Sequence, residues 1–253
     1  PQAATSLELP DDYRRRLAAF AAGPMQHLLA RNPVIVAPSA AILAAFPQHQ
    51  GQLLDPACLA LIDGELPPPT PWGAEGGLEI AFLGTRSHAG SLPLIDRLAG
   101  RLARDLPRAR LSLWFGAHLP REMTARANIV NRPALAWADY RTWRRAARFH
   151  VGLAPVQATA FATARSITKV MDHAGVGAVG VYSARAPLAG VVEDGRSGVL
   201  IDDDTGDAWA EAIVALAGDP QRAMEIAAGG QALARVRGAP ERVARFWRER
   251  WGV

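Results

Sequence analysis

The sequence holds one cysteine, Cys58, and one lysine, Lys169, in 253 residues. A single thiol excludes an internal disulfide framework and fits a reducing compartment. Flanked by Pro56, Ala57 and Leu59, it reads as a buried, inert side chain rather than a nucleophile. Long apolar runs are missing too: none reaches the roughly 18–20 residues of a membrane-spanning helix. The opening Pro1-Gln2-Ala3-Ala4 lacks the basic region and apolar stretch of a secretory signal. The chain therefore reads as soluble and cytoplasmic. It starts at Pro1 and not Met, so a fragment of a longer chain is one reading. No internal repeat, low-complexity segment or recognised nucleic-acid module is visible, and a nucleic-acid partner is not expected. The glycine-containing loop Gly84–Ser91 is not a G-x-G-x-x-G, so it lends a nicotinamide dinucleotide site no support. No Asp-x-Asp stands apart from a plain acidic run, and no His cluster at metal-ligand spacing is visible. The nearest approach is Asp202-Asp203-Asp204, which sits just before a helix and reads as a capping group.

What is there is an ordinary globular composition, 49% hydrophobic and 21% charged, long enough for one large domain or two modest ones. The net charge of +4 admits a polyanionic partner, but the arginines are scattered. The densest group is Arg141, Arg144, Arg145 and Arg148, with Trp137, Tyr140 and Trp143 interleaved. It reads first as a solvated helix face. A basic surface meeting anionic lipid at the inner face of a membrane, or an anionic acceptor, is the alternative. Among 28 Lys+Arg residues only Lys169 is lysine. Where arginine serves every ordinary purpose, a lysine marks either chance or a place that wants a compact ammonium.

Two textures divide the chain. Residues 1–66 carry a helical pattern (Tyr13 to Ala30), an apolar run Val34–Ala37 and a helix-like Ala40–Phe46. Leu66-Pro67-Pro68-Pro69-Thr70-Pro71, then Gly73, Gly76 and Gly77, can sustain neither helix nor ladder and read as a linker. From Leu78 onward short apolar runs alternate with amphipathic stretches. Strands are expected at Leu78–Leu83, Arg110–Phe115, Asn128–Val130, Val151–Ala154, Ala178–Tyr182 and Val199–Ile201. Helices are expected at Leu92–Leu106, Trp137–Arg148, Ser166–Ala174, Thr205–Leu216, Pro220–Val236 and Pro240–Trp251. Continuous apolar strands separated by helices predict a doubly wound parallel sheet, with ligands beyond the carboxyl ends of the strands.

Two segments could carry chemistry. Gly84-Thr85-Arg86-Ser87-His88-Ala89-Gly90-Ser91 follows the first of these strands. Its glycines allow close backbone approach, the next helix offers free N–H groups, and Arg86 could clamp a phosphate. An ordinary strand-to-helix turn, with His88 a capping histidine, is the competing reading. The second segment runs from Thr163 to Gly175. Ser166 or Thr168 could cap a helix whose dipole favours a diphosphate, with Lys169 about one turn in. Asp172, on the same face, could accept from two ribose hydroxyls. A surface ion pair is the alternative there.

These residues resemble the C-terminal domain of retaining glycosyltransferases of the family 4 type. Ser166-x-x-Lys169-x-x-Asp172 is similar to that family's Ser-x-x-Lys-x-x-Glu. Ala174-Gly175-Val176-Gly177, Val179–Tyr182, Ser183, Pro187, Glu193-Asp194-Gly195-Arg196-Ser197-Gly198, Val199-Leu200-Ile201 and Trp209 follow in the family's order. Upstream, Phe82-Leu83-Gly84-Thr85 with His88, and Val151–Pro155, fit the same template. Met25–Leu29 and Val34–Ser39 resemble the tail of an acceptor-binding domain. Two positions depart: Ala164 stands where the family often has a Glu, and His150 where it has an Asp before the Leu-Ala-Pro strand end.

The resemblance implies an α/β fold with a Rossmann-like doubly wound sheet, the C-terminal half of a GT-B enzyme. A partial N-terminal α/β remnant would precede it, at 1–70 with a linker to 77, and 78–253 would bind the nucleotide sugar. It implies a hexosyltransferase-like activity that moves a sugar from a nucleotide diphosphate sugar to a glycan or lipid-linked acceptor in polysaccharide biosynthesis. Lys169 and Arg86 would neutralise the diphosphate leaving group without a metal or other cofactor. Gly84, Thr85, His88, Ser166, Thr168 and Asp172 would contact the donor, Asp172 through ribose, whereas Gly195 and Gly198 would shape a turn. A non-catalytic nucleotide-sugar-binding module is the alternative, since about seventy residues are too few for a full acceptor domain.

Overall fold

A computed structural model describes residues 11–73 and 77–252, and only the backbone of Arg86; Pro1–Ala4 and Gly76 lie outside them. The first part comprises α1 (Asp11–Ala22), α2 (Pro24–Arg31), β1 (Val34–Ala37), α3 (Ala40–Ala44), β2 (Gln50–Leu53) and α4 (Leu59–Ile62). The second begins β3 (Glu79–Phe82), α5 (Leu92–Asp105), β4 (Arg110–Leu113), α6 (Arg121–Thr124), β5 (Ile129–Asn131) and α7 (Trp137–Ala146). It continues β6 (Val151–Ala154), α8 (Ala160–Thr163), α9 (Thr168–Ala174), β7 (Val179–Ser183) and β8 (Val199–Ile201). Three helices close it: α10 (Gly206–Gly218), α11 (Pro220–Arg237) and α12 (Pro240–Trp251).

The helix expected over Tyr13–Ala30 is two helices. Pro24 has no N–H to give and takes the first position of α2, where none is needed. Strand β2 was not expected, because Gln50-Gly51-Gln52-Leu53 has a single large apolar residue. It forms as the parallel partner of β1, with Val34 opposite Gln50 and Ala37 opposite Leu53.

Six strands form the main sheet, all parallel, in the order β5-β4-β3-β6-β7-β8. Counted within this unit the order is 3-2-1-4-5-6, the dinucleotide-fold winding, which reverses direction between β3 and β6. Strands β6 and β7 are buried along their whole lengths, as continuous apolar runs require when helices cover both faces. On one face α5 buries Ile95, Leu98 and Leu102 with Trp209 and Ile213 of α10 over Ile80, Phe82, Leu111 and Leu113. On the other, Met171 and Ala174 of α9 meet Ala234 of α11 and Cys58, Ala60 and Leu66. Cys58 is fully buried, and burial pushes its thiol pKa up, which fits an inert side chain.

Residues 54–71 are pinned to this second face. Asp55 accepts from Arg237 at 2.7 Å, the Cys58 amide donates to Gly238 at 2.8 Å, and Gln231 donates to the Pro67 carbonyl at 2.7 Å. The Thr70 amide bonds Gly177 at 2.8 Å. Gly177 has φ +73°, and a Cβ there would stand 2.7 Å from the Pro68 carbonyl, so only glycine lets the proline run lie this close.

Helix α7 corrects one expectation. Its arginines are a solvated face only in part: Arg145 is exposed, yet Arg141, Arg144 and Arg145 converge on Asp63, with Arg144 at 2.6 Å and Arg145 at 3.4 Å. Arg144 is buried, and Trp143 packs on Trp114 and Phe149. Trp137 remains exposed and stacks on Tyr140. No helix among the described residues is long and apolar enough to cross a membrane.

Candidate functional site

Where the winding reverses, the carboxyl ends of β3 and β6 open a crevice between the turn that leads into α5 and the start of α9. A cavity of about 370 Å³ lies there. Its polar lining is Ser87 and His88 from the turn after β3, and Arg165, Ser166, Thr168 and Lys169 from the entry to α9. Its remaining walls come from Phe82, the loop after β6, α8 and the loop after β7.

The turn after β3 is a 3-10 helix over Arg86–Ser91. Gly84 does not face open space: a Cβ there would lie 2.9 Å from the Phe82 ring and 3.1 Å from the His88 ring, which meet edge to face. Thr85 is exposed, and its carbonyl accepts from the His88 amide at 2.8 Å. His88 Nδ1 lies 3.2 Å from the Ser87 hydroxyl. Burial, aided by the charges of Arg165 and Lys169, pushes the His88 pKa down to about 3. The ring is thus neutral at ordinary pH and offers one donor and one acceptor. The side chain of Arg86 is outside what the structure describes, although its backbone starts this turn.

Helix α9 starts two residues after the expected boundary. Ile167, not Ser166 or Thr168, holds the N-cap position and makes no side-chain cap. The Ser166 hydroxyl instead accepts from the Thr168 amide at 3.4 Å and lies 2.5 Å from the Thr168 hydroxyl. Lys169 is consequently the second residue of the helix. Its ammonium bonds the Leu83 carbonyl, at the end of β3, and Asp172 at 3.0 Å. An ammonium has three donors, so one remains for the cavity that Lys169 lines. Asp172 sits a turn further on, mostly buried, off the cavity wall. Burial of nearby Tyr140, and after it the charge of Asp172, raises the tyrosine's pKa.

Arg165 belongs to the site and was not anticipated from the sequence. It donates to the Ser87 carbonyl at 3.1 Å and lies over the Phe161 ring at 4.9 Å, tying α9's entry to the turn after β3. Burial lowers its pKa, yet an arginine stays charged. Arg165 lies between α8 and α9, so no helical spacing pairs it with Lys169, and the sequence carried no signal for it.

The two departing positions have structural occupants. His150 Nδ1 accepts from the Glu79 amide at 3.0 Å, which leaves Nε2–H to donate to the Pro71 carbonyl at 3.1 Å. It joins the proline run to the sheet. Ala164 accepts, through its carbonyl, the Ser39 hydroxyl at 2.6 Å, so the loop after β1 touches the segment that enters the site.

Asp202-Asp203-Asp204 is not the cap of α10; Thr205 is. Asp204 accepts from Ser183 at 2.6 Å and Trp209 at 3.3 Å and pairs with Arg185 at 2.5 Å, so it locks the end of β7 to α10. Gly195 has φ +66°, and a Cβ on Gly198 would meet Tyr182 at 2.6 Å. Both glycines therefore serve the turn.

No protein-family model and no curated protein matches the chain. Solved structures do. Sucrose-phosphate synthase from Thermosynechococcus elongatus is similar with a TM-score of 0.58 at 15% identity, over 87% of this chain and 58% of that one. Anabaena HepE, in complex with UDP and glucose, has a TM-score of 0.61 at 17% identity over 85% and 62%. The pneumococcal O-GlcNAc transferase GtfA, in complex with UDP and GlcNAc, has 0.56 at 13% over 86% and 44%. The chain thus spans between 44% and 62% of the lengths of these three. At such identities the likeness is one of fold: the Rossmann-like C-terminal half of a GT-B glycosyltransferase.

Proposed function

We propose that this chain is the donor-binding part of a glycosyltransferase, taking a sugar from a nucleotide diphosphate sugar to a glycan or lipid-linked acceptor, as in polysaccharide biosynthesis. One observation carries the reading. At the reversal of sheet winding, where such folds bind nucleotides, two cations share one cavity: Arg165 and Lys169. Similar structures crystallised with UDP and a sugar supply the ligand class.

In this reading residues 78–253 hold the donor and residues 1–70 are what this chain has of the acceptor side, joined to it through Ser39 and Ala164. The bond between the anomeric carbon and the distal phosphate oxygen breaks, and its electron pair leaves with the diphosphate. The acceptor oxygen bonds the anomeric carbon, and its proton passes to the departing diphosphate oxygen. Charge grows on the diphosphate oxygens, where the free donor of Lys169, Arg165 and Arg86 would stabilise it without a metal. Asp172 would take the ribose hydroxyls, with Ser166, Thr168, His88 and the Gly84–Thr85 backbone around the phosphates.

A thermal-shift panel of UDP, GDP, ADP, dTDP and CMP tests the site. A rise in melting temperature with at least one diphosphate, and none with CMP, is expected. If no diphosphate stabilises the chain, the reading fails. Binding without turnover of any nucleotide sugar would leave a non-catalytic binding module.

A further inference from the structure

The cavity's polar groups are confined to the turn after β3 and the entry to α9, and most already have partners. Ser166 and Thr168 hold each other, Ser87 meets His88, Arg165 is bound to the Ser87 carbonyl, and Lys169 to Leu83 and Asp172. The rest of the lining is carbon: Val156 after β6, Phe161 and Ala162 of α8, and Pro187 and Leu188 after β7. Among the described residues no carboxylate or carboxamide side chain lines it. A sugar rich in hydroxyls, placed against such walls, would lose hydrogen bonds to water and find few in exchange.

From this lining we infer that the transferred group is a deoxyhexose, its methyl group against Val156, Phe161 and Leu188. The inference rests on the donor-site reading above and adds the class of sugar to it. A hydrophobic pocket gains from each added carbon and rejects an added hydroxyl only modestly, so a preference of about tenfold or somewhat more is expected, not absolute exclusion.

Calorimetric titration of the full chain with matched pairs tests this: UDP-glucose against UDP-6-deoxyglucose, the same pair on dTDP, and GDP-mannose against GDP-6-deoxymannose. Each pair keeps base, anomer and phosphates constant. The deoxy member should bind about tenfold more tightly on whichever base the site accepts. In Val156→Thr, which keeps shape and adds a hydroxyl to the wall, that ratio should shrink while affinity for the bare nucleoside diphosphate stays the same. If the diphosphates bind but the parent hexose equals or exceeds its deoxy partner, or a uronic acid donor binds best, the sugar class is wrong and the donor site stands. If no nucleoside diphosphate binds, both fall.

Discussion

Lys169 Nζ lies 3.0 Å from Asp172 Oδ2, and the same ammonium bonds the carbonyl of Leu83 at the end of β3. The lysine is thereby held at the mouth of the crevice by two acceptors from two elements, and its third donor is spared.

Replacing Lys169 with Ala should weaken nucleoside diphosphate binding by about 1.5–3 kcal/mol, the range for a lost hydrogen bond to a charged group. Asp172→Asn should act differently. It leaves one neutral acceptor where the ribose would meet a carboxylate and also frees the ammonium from its counter-charge, so nucleoside diphosphates lose affinity while inorganic pyrophosphate keeps or gains it. Calorimetry with UDP and pyrophosphate side by side reads both. Equal losses for the two ligands in Asp172→Asn would mean that Asp172 acts by positioning Lys169 and does not hold the ribose.

Among the described residues Asp63 is the one carboxylate that pairs with three arginines of α7, and those cations hold its pKa down to about 2, the hydrogen bond from Arg141 first. Asp63→Asn should leave Arg144 buried without a full counter-charge, a strongly unfavourable state. The melting temperature should fall by several degrees. Arg145→Ala, removing an exposed partner at 3.4 Å, should change it little. Equal effects of the two variants would mean that the cluster is a surface arrangement after all.

The fold was legible from Leu78 on because its strands are short and mostly apolar, several of them bounded by glycine or proline, and helices separate them. Val151-Gly152-Leu153-Ala154 before Pro155 is the plainest, and β6 has those bounds. Strand β2 was illegible for the opposite reason: Gln50-Gly51-Gln52-Leu53 has no apolar run, and its pairing with β1 is a tertiary fact. At the site Lys169 stood out by its rarity, but Arg165 was one arginine among many. Only the packing of Phe161 and the carbonyl of Ser87 distinguish it. The basic patch on α7 misled because its counter-ion, Asp63, is far away in sequence and nothing local announces it.

Two histidines set an acid limit. Burial pushes both His88 and His173 down to about 3, below the usual 6.5 of the unfolded chain. Between about pH 6.5 and 3 the unfolded state binds protons that the folded state refuses. Stability should therefore be full above pH 7 and decline as the pH falls through that window, by at most about 1.4 kcal/mol per pH unit for each ring. Chemical denaturation at pH 7.5, 6, 5 and 4.5 measures the slope. His88→Gln should flatten it; an unchanged slope would show that His88 becomes charged in the folded protein.

Gly84 offers the last test, because two physical reasons for a glycine make opposite predictions there. If glycine is needed so that backbone and ligand can meet, Gly84→Ala should reduce nucleotide binding and leave the ligand-free protein as stable as before. The geometry gives a different reason. An added Cβ would lie 2.9 Å from the Phe82 ring carbon and 3.1 Å from His88, closer than two carbons pack. Phe82 is almost wholly buried and stacks on Phe115, so it has nowhere to go, and His88 is the ring that must give. Overpacking of this kind costs about 1–3 kcal/mol. Gly84→Ala should then lower the stability of the free protein by that amount, and moving His88 should also raise its pKa toward the ordinary value as water reaches the ring. Urea denaturation without nucleotide, together with an NMR titration of His88, separates the two reasons: loss of stability with a higher His88 pKa identifies a packing glycine, and loss of binding alone a ligand-facing one.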